Sequence, residues 1–167
     1  MKIRENIVLI GMSGAGKSTL GVLLAKALGK SFTDTDLVIQ QREGRLLQGI
    51  IDEDGIEAFL KIEESAVLSV SDKNSVIATG GSVVYSDTAM SFLRENGTVV
   101  YLRVDFEELS HRLSNITTRG IVFKHGSDLS EVYAERLPLY EAYADLTVDC
   151  TGRSVEESVS EILERLR

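Results

Sequence analysis

Apolar and polar positions fall into blocks along this chain, and the blocks read alternately as strands and helices. Ile7-Val8-Leu9-Ile10 closes an apolar run from Asn6, the mark of a strand buried on both faces. From about Lys17 to Leu28 the spacing becomes helical, with Gly29 as its stop. Ser31 to Thr33 predicts a short strand ending in Asp34-Thr35-Asp36. Leu37 to Arg42, ended by Gly44, and Leu46 to Asp52, ended near Gly55, predict two short helices. Ile56 to Val70 predicts a longer one, with Phe59, Ile62, Ala66 and Val70 on one face.

Ser75 to Thr79 predicts a third strand, followed by Gly80-Gly81-Ser82. Asp87 to Arg94 is helical, Asn96-Gly97 reads as a turn, and Thr98 to Leu102 as a strand. Phe106 to Leu113 predicts a helix with Asp105 as N-cap and Glu108 three residues on, close to a capping box. Ser114 to Ser127 has no clear period. Asp128 to Tyr143 predicts a helix that Pro138 should kink or interrupt. Leu146 to Val148 and Val155 to Leu166 predict the last strand and helix.

This alternation predicts an α/β fold: three αβα layers around a five-stranded parallel sheet. At 167 residues the chain suits one domain, residues 1–167. Two stretches break the regularity. About 34 to 70 is helical without a strand and leaves from a strand's carboxyl end, where open parallel sheets bind ligands; it is a candidate acceptor-binding insertion. About 112 to 127 contains a loop longer than compact domains keep without a use, and is a candidate lid.

Composition narrows the partners. With 43% hydrophobic and 26% charged residues the chain is globular, and a net charge of −8 disfavours duplex nucleic acid. Cys150 is the single cysteine, which excludes an internal disulfide and reads as buried filler. No apolar stretch approaches 18 residues, so no membrane span is expected, and the short apolar run after the N-terminus does not make a signal peptide. A cytoplasmic monomer is the expected state.

The chemistry starts at Gly11-Met12-Ser13-Gly14-Ala15-Gly16-Lys17-Ser18, between the first strand and first helix, the context a Walker A loop requires. Its glycines let backbone N–H groups turn toward a phosphate, and the helix start adds further donors at Ser18 and Thr19. Lys17 supplies a point charge for the β- and γ-phosphates, and Ser18 is placed to ligate Mg²⁺. ATP is therefore the expected cofactor, with Mg²⁺.

Asp34-Thr35-Asp36 follows the second strand on the same edge. Two such carboxylates beside bound phosphates can hold Mg²⁺ and accept a proton from an attacking hydroxyl; alternatively, one of them only caps the next helix. Gly80 and Gly81 let backbone approach a ligand closely, or make a tight turn. Asp105 ends an apolar strand as a metal-binding acid would, but its capping pattern points to a structural role. Arg112, Arg119 and Arg136 are candidate cations around the transferring phosphate and an acidic substrate, against an ordinary surface role for each. His111 and His125 have no ligand-like spacing.

Taken together these residues resemble the shikimate kinase family. The loop, the Asp-x-Asp, the Gly-x-Glu-x-Phe of Gly55, Glu57 and Phe59, Ala78-Thr79-Gly80-Gly81, Arg119, and Glu135-Arg136-Leu137-Pro138-Leu139-Tyr140 stand in that family's order over nearly the whole chain. The resemblance implies a P-loop, nucleoside-monophosphate-kinase-like fold and transfer of the ATP γ-phosphoryl group to the 3-hydroxyl of shikimate. It implies Asp34 near Mg²⁺, Asp36 at the acceptor hydroxyl, Gly80 and Gly81 in the acceptor pocket, and Arg136 on the acceptor carboxylate. It also implies Arg119 over the transferring phosphate and Arg112 and Arg153 beside the adenine.

Three positions depart from the family pattern. Leu60 stands where the family has an arginine for the shikimate carboxylate, which predicts about 10- to 100-fold weaker binding of a carboxylate held there. Ser82 replaces a third glycine, which matters if the position needs a positive φ. The lid reads Arg119-Gly120-Ile121-Val122 in place of Arg-Pro-Leu-Leu. All three fall on the acceptor side or lid. Shikimate leads as acceptor; another small hydroxylated metabolite, a catalytically silent nucleotide-binding module and a nucleoside-monophosphate kinase stand as alternatives.

Overall fold

A computed structural model describes residues 4–114 and 128–167. Five parallel strands form one sheet among them: β1 (Asn6–Ile10), β2 (Ser31–Asp34), β3 (Ser75–Ala78), β4 (Gly97–Arg103) and β5 (Leu146–Asp149), in the order β2-β3-β1-β4-β5. The parallel sheet and αβα layering expected from the sequence are present. β1 is central and buried throughout because both its faces are covered. Helices α1 (Lys17–Leu28) and α8 (Val155–Leu166) pack together on one face. On the other, α5 (Asp87–Asn96) and α7 (Leu129–Tyr143) lie against β4.

Local chemistry sets the ends of these elements. Gly29 and Gly44 end α1 and α2 (Thr35–Glu43) in the left-handed region, at φ 64° and 67°. A full capping box starts α8: the Glu157 N–H donates to Ser154 Oγ at 3.1 Å, and the Ser154 N–H to Glu157 Oε2 at 2.9 Å. Helix α6 (Phe106–Ser114) has only half a box. Asp105 Oδ1 accepts the Glu108 N–H at 3.0 Å, but the Glu108 side chain accepts from Gly152 and Arg112. The expected turn at Asn96-Gly97 is absent, since α5 runs to Asn96 and β4 begins at Gly97.

Pro138 does not interrupt α7. The lost backbone hydrogen bond is outweighed by the burial of Val132, Arg136 and Tyr140, spaced four residues apart on one face. Helices α2, α3 (Leu47–Asp54) and α4 (Ile56–Leu68) form a lobe with its own small core of Ile39, Ile50, Phe59 and Ala66. The strand-free stretch is therefore a folded unit that leaves the end of β2 and returns to β3. Among the described residues no helix is long and apolar enough to cross a membrane.

Candidate active site

The loop after β1 turns where a side chain cannot. A Cβ on Gly11, at φ 149°, would stand 2.7 Å from the Leu102 carbonyl oxygen, so β4 leaves room only for glycine. Gly16 starts α1 at φ 92°. Lys17 is 8% exposed, and its Nζ donates to the carbonyls of Gly11 and Met12 at 2.6 and 2.8 Å. These bonds hold the ammonium across the loop. From behind, Arg112 donates to the Gly14 carbonyl at 3.0 Å.

The Asp-x-Asp divides its work. Asp34 uses both carboxylate oxygens: Oδ1 accepts the Asp36 N–H at 2.9 Å and caps α2, and Oδ2 accepts from Ser18 Oγ at 2.7 Å. The capping and phosphate-side readings therefore hold at once for one residue. The Ser18–Asp34 contact puts two hard oxygen donors together beside the loop, a donor set that suits Mg²⁺. Asp36, in the first turn of α2, lines a cleft of about 270 Å³ with Ser13, Lys17, Ser18, Thr19 and Gly80.

The turn after β3 is the meeting point. Thr79 ties it to β1 by donating from its N–H and Oγ1 to the Leu9 carbonyl, at 3.2 and 2.8 Å. A Cβ on Gly80 would lie 2.7 Å from Glu63 Oε2 and 2.9 Å from Asp36 Oδ1. One on Gly81 would lie 3.0 Å from Arg136 Nη1 and 3.1 Å from Ser13 Oγ. Two acids, an arginine and the phosphate loop thus converge on two adjacent glycines. Arg136 is 1% exposed, donates from Nε to the Tyr85 hydroxyl at 3.2 Å and stacks over that ring at 5.2 Å.

Two residues of this site were not singled out from the sequence. Tyr140, fully buried and stacked on Tyr101, donates its hydroxyl to the Gly81 carbonyl at 2.5 Å. Tyr140→Phe should cost about 1–3 kcal/mol by leaving that buried carbonyl unpaired, measurable by urea denaturation. Glu63 is 3% exposed and accepts from Ser82 Oγ at 2.7 Å. Burial pushes its carboxyl up to about 7, despite the Ser82 hydrogen bond. Its signal was its place four residues after Phe59 on the buried stripe of α4.

Ser82 sits at φ −90°, so its side chain costs no backbone strain, contrary to the concern raised by the missing glycine. Leu60 stands beside the Asp36–Arg136 cavity, whose wall residues Glu63 and Ser82 it adjoins. It lines an adjoining cleft with Glu63, Ser82 and Tyr85. Arg153 lies in the turn after β5, paired with Glu161 at 3.2 Å. Arg119 and the lid segment 115–127 lie outside the described residues.

A shikimate kinase family model matches residues 13–167. The shikimate kinase of Dehalococcoides mccartyi is 38% identical, with 100% of this chain and 96% of that one covered. That of Persephonella marina is 35% identical over 98% and 99%. A solved shikimate kinase from Acinetobacter baumannii, in complex with shikimate, superposes with a TM-score of 0.90 at 30% identity, over 98% of this chain and 93% of that one.

Proposed function

The chain belongs to the shikimate kinase family and is an ATP-dependent phosphotransferase; from that premise we propose that its acceptor is shikimate and that the residues around Gly80-Gly81 carry the transfer. The observation supporting this is the convergence at that turn of Asp36, Arg136 and the loop's Ser13. An acceptor lying on the two glycines meets an acid at one end and a buried guanidinium at the other.

In this reading the loop's N–H groups and Lys17 hold the β- and γ-phosphates and draw off charge as the transfer proceeds. Ser18 and Asp34 would hold Mg²⁺, which when bound neutralises phosphate charge. Asp36 accepts the proton of the acceptor hydroxyl as its oxygen bonds to the γ-phosphorus and the bond to the β-phosphate oxygen breaks. Arg136 grips the acceptor carboxylate, pre-oriented by Tyr85. Catalysis is thus positioning plus charge neutralisation. Arg119 completes the phosphate's surroundings from the lid over about 112–127, and Arg112 and Arg153 flank the adenine.

Coupled assay of ADP release with shikimate, gluconate and homoserine tests the acceptor. Turnover should depend on shikimate; turnover with another alcohol only, or tight ATP binding with none, would reassign it. Arg136→Lys keeps the charge but loses the fork, and should raise the shikimate KM by about 10- to 100-fold with ATP KM unchanged.

A further inference from the structure

Glu63 is a buried acid that the transfer just described does not use. It lines the same small cavity as Asp36, Gly80, Gly81 and Arg136. Its Oε2 and Asp36 Oδ1 approach one glycine within 0.2 Å of the same distance, 2.7 and 2.9 Å from a Cβ on Gly80. Two carboxyl groups at one glycine resist being ionised together, and the Asp36 charge raises the Glu63 carboxyl. Among the described residues, the Glu63 carboxylate accepts from a neutral hydroxyl, Ser82 Oγ at 2.7 Å. One turn earlier on α4 stands the apolar Leu60, in a cleft that Glu63 and Ser82 also line.

We propose that Glu63 and Ser82 form a proton-coupled specificity device: binding of a carboxylate-bearing acceptor on Arg136 draws one proton from solvent onto the Glu63 carboxyl. This rests on the acceptor being shikimate. The acceptor's carboxylate enters beside Glu63, and an ionised neighbour opposes it. A proton on Glu63 removes that opposition. Among the described residues, Asp36 from α2 opposes its ionisation, while Arg136 from α7 and Lys17 from α1 favour it. On its own helix Lys61 and Glu64 share the adjoining cleft, with Tyr85 opposite. Burial outweighs the two cations, so the free carboxyl titrates near pH 7, where cells operate. The sign follows: below that pH Glu63 is already neutral and the acceptor binds at full strength; above it, binding must first recruit a proton and weakens.

The experiment is calorimetric titration of shikimate into the protein with ADP and Mg²⁺, at pH 7.5 in buffers of different ionisation enthalpy. Wild type should take up a measurable fraction of a proton, and its shikimate KM should rise about tenfold from pH 6 to 9, the equivalent of one unit of coupling. Glu63→Gln should bind without proton uptake and show a flat KM profile. Ser82→Ala removes the hydrogen bond that favours the ionised form, so its inflection should move to higher pH, a shift that a purely structural role would not produce. Should Glu63→Gln fail to fold, wild-type uptake and the Ser82→Ala inflection decide alone. Shikimate binding with pH-independent affinity, or equal uptake in wild type and Glu63→Gln, overturns the inference and leaves the acceptor assignment standing. No shikimate binding by wild type overturns both.

Discussion

Lys17→Ala should lower turnover by about 10³-fold or more while leaving the fold intact. Lys17 is the only side chain among the described residues that reaches across the loop to its first two carbonyls, at 2.6 and 2.8 Å. Its ammonium therefore stands where the tail of a triphosphate enters. Charge that develops on the phosphoryl oxygens meets a preorganised, buried cation there. Alanine leaves two loop carbonyls that water can reach along the cleft, so thermal unfolding should shift little. The check is steady-state turnover alongside a melting curve. A large fall in activity with a native melt supports the role; a collapse of both would make Lys17 a structural residue.

Asp36→Asn should lower kcat by about 10²–10⁴-fold, the range of a positioned general base, with the ATP KM nearly unchanged. The substitution keeps the shape, and the backbone N–H that Asp34 accepts to cap α2 is untouched. What is lost is the ability to take a proton. Asp34→Asn makes the contrast: it disturbs the Ser18 contact and the helix cap together, so it should weaken nucleotide-dependent metal binding and stability as well.

Most of the frame was legible because its signals are local. β1, α1 and α8 keep the residue limits expected from apolar runs and from Gly29 as a stop. The helical lobe was legible from the period of Phe59, Ile62 and Ala66 and from Gly44 and Gly55 as stops. Boundaries shifted where polar residues start a helix by capping it. Asp34 ends β2 and caps α2 at once, so the helix begins at Thr35, two residues before the first apolar one.

The site was legible where a motif fixes the backbone and illegible where burial gives a residue its meaning. Glu63 lies inside an apolar stripe, and an acid there reads as an exposed neighbour, because burying a carboxyl is costly unless something compensates. The compensation, a hydroxyl at Ser82, is 19 residues away and comes close only when the turn after β3 packs against α4. Tyr140 belongs to a recognisable run, but its bond to Gly81 spans 59 residues. Of the two outcomes expected at Pro138, a kink or an interruption, the interruption does not occur; local propensity carries no term for the burial on either side of it.

The central claim is tested most directly by a crystal structure with ADP and shikimate. The β-phosphate should lie within the N–H groups of residues 11–18, the shikimate 3-hydroxyl within hydrogen-bonding reach of Asp36, and its carboxylate on Arg136. Phosphates bound elsewhere, or a ligand whose hydroxyl faces away from Asp36, would contradict it.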